Sequence, residues 1–198
     1  MSTNNISTKE YSVTIGENAH ILDFNRLTNC TIGASKILGS DISNSTIHDG
    51  CDIKYSTIEE SKVFNNVSIG VYSHLRRGSD IRDNVRIGNF VETKQSTIDN
   101  DSKVAHLTYV GDAEIGKRVN VWCGTVFCNY NGVIKQKTVV GDDVFIGSNS
   151  NLVAPLHVEN QSFIAAGSTI TNDVPKHCLA IARSRQTNKL GYYKPKIT

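Results

Sequence analysis

The chain is 198 residues long, enough for one ordinary domain or two small ones, and carries 21 basic against 19 acidic side chains. A formal charge of +2 argues against a dedicated nucleic-acid or membrane-surface binder, so neither partner is expected. No apolar run is long enough to span a bilayer, and MSTNNISTKEYS at the N-terminus has no charged-then-apolar leader, which together point to a soluble cytoplasmic protein.

In chain order, residues 1–12 read as a polar segment with little structure. An aliphatic beat follows, weak at first at Ile15, Ile32, Ile47 and Ile53. It becomes strict from Ile69, with Leu75, Ile81 and Ile87 each six residues on. Ile98, Val104 and Val110 continue it, then Ile115, Val121 and Phe127, then Val140, Ile146, Leu152, Val158, Ile164 and Ile170. A second aliphatic residue often stands two positions earlier, as at Val67, Val85, Val119 and Val144, and a glycine often stands directly after. A period of six does not suit a helix of 3.6 residues per turn, but suits a short strand and a tight corner, repeated. Residues i and i−2 share one face of a strand, and the small residue after i is expected to permit the corner. Three strands then close a triangular coil of about eighteen residues, placing Ile69 under Ile87 and Val140 under Val158 in one internal column. The predicted fold is all-β, a single-stranded parallel β-helix over 13–178.

Two places break the beat. In AHLTYVGDAEIG, residues 105–116, the step from Val110 to Ile115 is five, and the shortened step is expected to carry His106 and Tyr109 to an outer corner. Residues 128–138, CNYNGVIKQKT, are inserted between Phe127 and Val140 and must leave the coil as a projecting loop, since a packed core has no room for them. Residues 179–198 lose the beat and read as a C-terminal tail, with room for a short helix. The five cysteines are scattered without a CxxC pair, which fits reduced thiols used as small buried fillers. The six histidines lack the clustering of a zinc site, and no metal is expected. Flat solenoid faces offer no deep pocket, so a site is expected between prisms in a symmetric homotrimer.

The runs GNFVETK, AHLTYVGDAEIG, CNYNG, KTVVGDDVFIGS, LVAP, IAAGSTIT and AIARSRQ carry more specific information. Through them, residues 70–190 resemble the acetyltransferase half of the bifunctional glucosamine-1-phosphate N-acetyltransferase/N-acetylglucosamine-1-phosphate uridylyltransferase family. That resemblance implies a left-handed coil and acetyl-CoA as co-substrate, with glucosamine 1-phosphate as the sugar phosphate acceptor. It implies His106 as general base, with Arg76, Lys94, Tyr109, Asn120 and Lys135 on the acceptor. It places Asn129 and Tyr130 at the acetyl end, and Ser148, Ala166 and Arg183 on coenzyme A. The chemistry agrees: an ammonium has no lone pair, so the amine must lose a proton to attack a thioester, and histidine titrates near neutrality. A phosphate dianion needs fixed cations. Where the family has NIGAGT this chain has NVWCGT, which sets Trp122 and Cys123 beside the expected acetyl-CoA slot. Two other readings compete: N-acetylation of a nucleotide-linked amino sugar for surface polysaccharide, and a non-catalytic β-helix that binds a sugar nucleotide.

Overall fold

The computed structural model describes residues 12–192. Successive short strands pass in turn to a first, a second and a third sheet, and every strand of a sheet pairs in parallel with the one a coil below it. The described residues form sheets of nine, ten and nine strands, the faces of a three-sided prism, and contain no helix. This is the architecture of a left-handed parallel β-helix of hexapeptide repeats. The expected stacking is present: Ile69 pairs with Ile87 and Val140 with Val158. The second sheet extends to Leu179–Ala180, which pairs on Phe163–Ile164.

The core is one column of inward aliphatic side chains running the length of the prism, nearly all fully buried. Each contributes about 1.5–3 kcal/mol by leaving water. One rung is polar. Thr93 takes the inward place between Leu75 and Val110, and its hydroxyl lies 2.8 Å from that of Ser79. The i−2 positions are more often serine than aliphatic, and these serines are buried. Most of these hydroxyls bridge coils, although that of Ser162 bonds only within its own turn, to the Glu159 carbonyl. Ser102 Oγ donates to the Gly116 carbonyl at 2.7 Å and accepts the Val119 N–H at 2.9 Å, and Ser73 does the same with Gly88 and Val91. Cys30 and Cys51 are core fillers as expected, but Cys123 and Cys128 are only half-buried and Cys178 is exposed.

Two expectations are corrected. The glycine directly after an inward residue does not make the corner. The corner is made two or three residues on, by a residue in the left-handed region: Asn66 (φ 57°), Tyr72 (60°), Asn84 (59°) and Phe90 (56°) in six-residue steps, Gln95 (48°) and Asp112 (48°) in five-residue ones. The glycine serves close stacking instead, since a Cβ on Gly88 would run into the Ala105 carbonyl oxygen, and one on Gly147 would lie 2.5 Å from the Ala166 nitrogen. The five-residue step after Val110 is also not singular. Ile32, Ile37, Ile42 and Ile47 keep that spacing with their side chains fully inward, so the upstream coils close in fewer residues, and Thr31 pairs with Thr46. Corners of the two lengths stack directly, as where Gly78 of a six-residue step lies against Gln95 of a five-residue one. His106 belongs to the full step from Val104 to Val110, so the short step carries Asp112 and not His106.

Candidate functional site

The cations expected to hold phosphate gather on the third sheet. Arg76 follows the strand His74–Leu75 and Lys94 closes the strand Glu92–Lys94, and the register His74↔Glu92, Leu75↔Thr93 puts them on neighbouring rungs. Arg76 Nη1 donates to Glu92 Oε1 at 2.7 Å, which raises the guanidinium further above its ordinary value. Lys135 arrives from the projecting loop, which folds back on itself through an antiparallel bridge between Tyr130 and Lys135. Its ammonium lies against that of Lys94 and, with Arg76 behind, pushes Lys94 down from its ordinary value, while Asp112 opposes that shift. Positive groups held this close without an intervening anion repel one another, and a bound dianion would relieve that repulsion.

Tyr109 stands one rung above Glu92. Its hydroxyl lies 3.4 Å from Asn129 Nδ2, and that amide donates to the Asp112 carboxylate. The bare Cα of Gly111 permits this approach, because a methyl there would meet the Tyr109 hydroxyl and sit 2.6 Å from Asn129 Nδ2. Asn129 is 8% exposed and joins the third-sheet group, whereas Tyr130 is exposed on the loop and donates its hydroxyl to the Gly132 carbonyl at 2.7 Å.

The remaining expected residues lie on the second sheet. Val104, Val121, Ile146, Ile164 and Ala180 stack in register, so the residues two places beyond them form a second column: His106, Cys123, Ser148, Ala166 and Ala182. Hydrogen bonds trace it, from Gly124 N–H to His106 O, Asn149 N–H to Cys123 O, and Gly167 N–H to Ser148 O. Arg183 follows at its end, beside Gly167. Four rungs at about 4.8 Å set His106 and Ala182 roughly 19 Å apart. His106 is exposed and lines a cleft of about 180 Å³ with Arg86, Lys103, Ala105, Asn120, Val121 and Trp122. Asn120 therefore faces the His106 cleft and not the third-sheet cations. His74, His106 and His157 fall on the third, second and first sheets respectively.

Residues 30–119 match the family described as GlmU-like, C-terminal hexapeptide, and residues 137–172 match the hexapeptide repeat of succinyl-transferase. The bifunctional protein GlmU of Listeria monocytogenes is 56% identical over 156 residues, 79% of this chain. The chain belongs to the GlmU-like hexapeptide-repeat family. The bifunctional protein GlmU of Clostridioides difficile is 54% identical over 167 residues, 83% of this chain and 36% of that protein. The chain spans about a third of the length of these relatives, 34% for the Listeria protein. Among solved structures it is similar to a Francisella novicida UDP-N-acetylglucosamine acyltransferase, with a TM-score of 0.49 and 16% identity over 86% of this chain and 65% of that one.

Family motifs alone led to Arg76, Lys94, Tyr109 and His106 but passed over four residues around them. Glu92 holds Arg76, Asp112 holds Asn129, and Arg86 and Lys103 line the His106 cleft. Arg86, Lys103 and Asn120 each stand one place before an inward residue on successive coils, a signal the six-residue beat does contain.

Proposed function

We propose that the chain is an acetyl-CoA-dependent N-acetyltransferase acting on an amino-sugar 1-phosphate, glucosamine 1-phosphate first among them. The observation that carries this reading is that Arg76 and Lys94 stand on neighbouring rungs of the third sheet with Lys135 of the loop close enough to lower Lys94, while the second sheet carries His106 in a column with Ser148 and Ala166. The three cations hold the acceptor phosphate and Tyr109 borders it; Asn129, which the resemblance puts at the acetyl end, joins them in this reading through its contact with the Tyr109 hydroxyl. The sugar ammonium first gives one proton to solvent, and His106 takes a second from the amine nitrogen as that nitrogen attacks the thioester carbonyl. The tetrahedral intermediate collapses with cleavage of the C–S bond, and the histidinium returns its proton to the departing thiolate. Ser148 and Ala166 line the path of the coenzyme arm, and Arg183 meets its phosphates. The roughly 19 Å from His106 to Ala182 suits an extended pantetheine arm.

The sheets of one prism face outward in different directions, so the His106 cleft and the third-sheet cations close on one ligand when the second sheet of one copy meets the third sheet of a neighbour. A homotrimer follows from that reading. The solenoid expected over 13–178, extended by the strand Leu179–Ala180, is its catalytic domain, with 128–138 the loop that reaches across, and the cytoplasm is its compartment, where acetyl-CoA is available.

Thiol release from acetyl-CoA with glucosamine 1-phosphate tests the reading. Turnover by the wild type that His106→Ala reduces at least a hundredfold is the expected result, and no turnover by the wild type rejects it. Arg86 and Lys103 in the His106 cleft favour a second reading, a nucleotide-linked amino sugar, because they supply cations beyond those a monophosphate needs. Competition between the free sugar phosphate and a nucleotide sugar separates the two.

A further inference from the structure

One residue past the inward position, the second sheet carries a column of Gly88, Ala105, Trp122, Gly147 and Ala165. Four members are as small as side chains can be, and one is an indole. The small ones are held small by stacking, since a Cβ on Gly88 or Gly147 meets the backbone of the next coil. Trp122 instead turns outward and is 48% exposed. Its ring centroid lies 5.8 Å from that of Phe145, which stacks on Phe163 at 4.4 Å with an interplanar angle of 12°. This aromatic stack braces the indole from the C-terminal side. On its other side Trp122 walls the 180 Å³ cleft that contains His106. Cys123, its neighbour, occupies the rung between His106 and Ser148.

We propose that Trp122 is the specificity-determining wall for the acyl group, one that admits acetyl and turns away longer chains. This rests on the transferase reading above. A thioester carried along Ser148 toward His106 must pass the Cys123 rung, and there the indole fills space that glycine or alanine leaves open on the two coils to either side, Gly88 and Ala105 below and Gly147 and Ala165 above. The acyl methyl meets the indole directly, and each further methylene must displace it from Phe145. A hydrophobic wall discriminates one methylene by about 10–200-fold.

The test compares acetyl-CoA with butyryl-CoA in the wild type, Trp122→Gly and Trp122→Phe. The wild type is expected to favour acetyl-CoA in kcat/KM by at least about a hundredfold, and Trp122→Gly to lower that ratio at least tenfold by gaining activity on butyryl-CoA. Trp122→Phe, which retains an apolar wall, is expected to fall between them and guards against a fold defect in the glycine variant. A ratio that both variants leave within twofold of the wild type overturns the proposal. A second readout needs no turnover. The chain has one tryptophan, so its emission reports this position alone. Saturable quenching by acetyl-CoA, in the wild type and in His106→Ala alike, is the expected result, and flat emission up to millimolar donor overturns the proposal. A wild type that releases no thiol from either donor rejects the transferase reading, and the emission titration then still decides whether Trp122 meets the coenzyme.

Discussion

Adding a single methyl group at Gly111 should uncouple the acceptor site from an otherwise intact coil. The backbone there is not left-handed, so Gly111→Ala meets no conformational penalty, and the effect is steric. The new Cβ would touch the Tyr109 hydroxyl and sit 2.6 Å from both Tyr109 Cζ and Asn129 Nδ2. Comfortable contact is about 3.5–4 Å, so both side chains must retreat by about 1 Å. The Tyr109–Asn129 contact is already 3.4 Å, and a further ångström ends it. The Asn129–Asp112 hydrogen bond goes with it, and a bond to a charged group is worth about 1.5–3 kcal/mol. If that order is needed to hold the acceptor, kcat/KM for the sugar phosphate falls about 10–150-fold. Overpacking costs about 1–3 kcal/mol of stability, a few degrees of melting temperature per kcal/mol in a chain of this size, so the variant remains folded at 25 °C. Initial rates at varied acceptor and donor concentrations are the assay. The fall should lie in the acceptor terms, with the KM for acetyl-CoA unchanged. A kcat/KM within twofold of the wild type would refute the assignment of Tyr109 and Asn129 to the acceptor.

Because Lys135 holds Lys94 below its ordinary value, the Lys94 charge is complete at low pH and is lost as pH rises through that lowered value. Calorimetric titration with glucosamine 1-phosphate should therefore show affinity falling before the usual lysine range near about 10.4 is reached, and Lys135→Met should shift the remaining fall upward. A decline confined to the ordinary range in the wild type would contradict this. Phe127→Ala removes the largest fully buried side chain, stacked on Leu152 just before the projecting loop, and should cost about 3–5 kcal/mol in denaturant unfolding. A loss below about 1 kcal/mol would show that the coils close over the gap.

The core was readable because an inward column imposes the same demand at every rung, and Ile69, Ile87, Val140 and Val158 answer it identically. Thr93 was not readable, since a hydroxyl at an inward place is accepted only because Ser79 lies beside it in space. The same holds for the buried serines, whose partners are carbonyls and N–H groups about sixteen residues away. Glycine after the beat was visible but its reason was not, because φ and coil-to-coil distance cannot be separated in one dimension. For the site, motifs named the residues while spacing hid their grouping. His106 and Tyr109 are three residues apart yet lie on different sheets, and Asn129 reaches Asp112 only because the inserted loop starts where it does.

Corners of five and six residues stack on one another without disturbing the rungs on either side, as Gly78 and Gln95 show. A register error that would invert every side chain of an ordinary sheet is here absorbed within one bend. Loss or gain of a single residue at such a corner is thus a local event, and the prism tolerates drift in length that most β folds reject. Coils upstream of the site are free to shorten while the column above His106 keeps its spacing, so genetic insertion and deletion can reshape one end of the molecule as its chemistry stays fixed at the other.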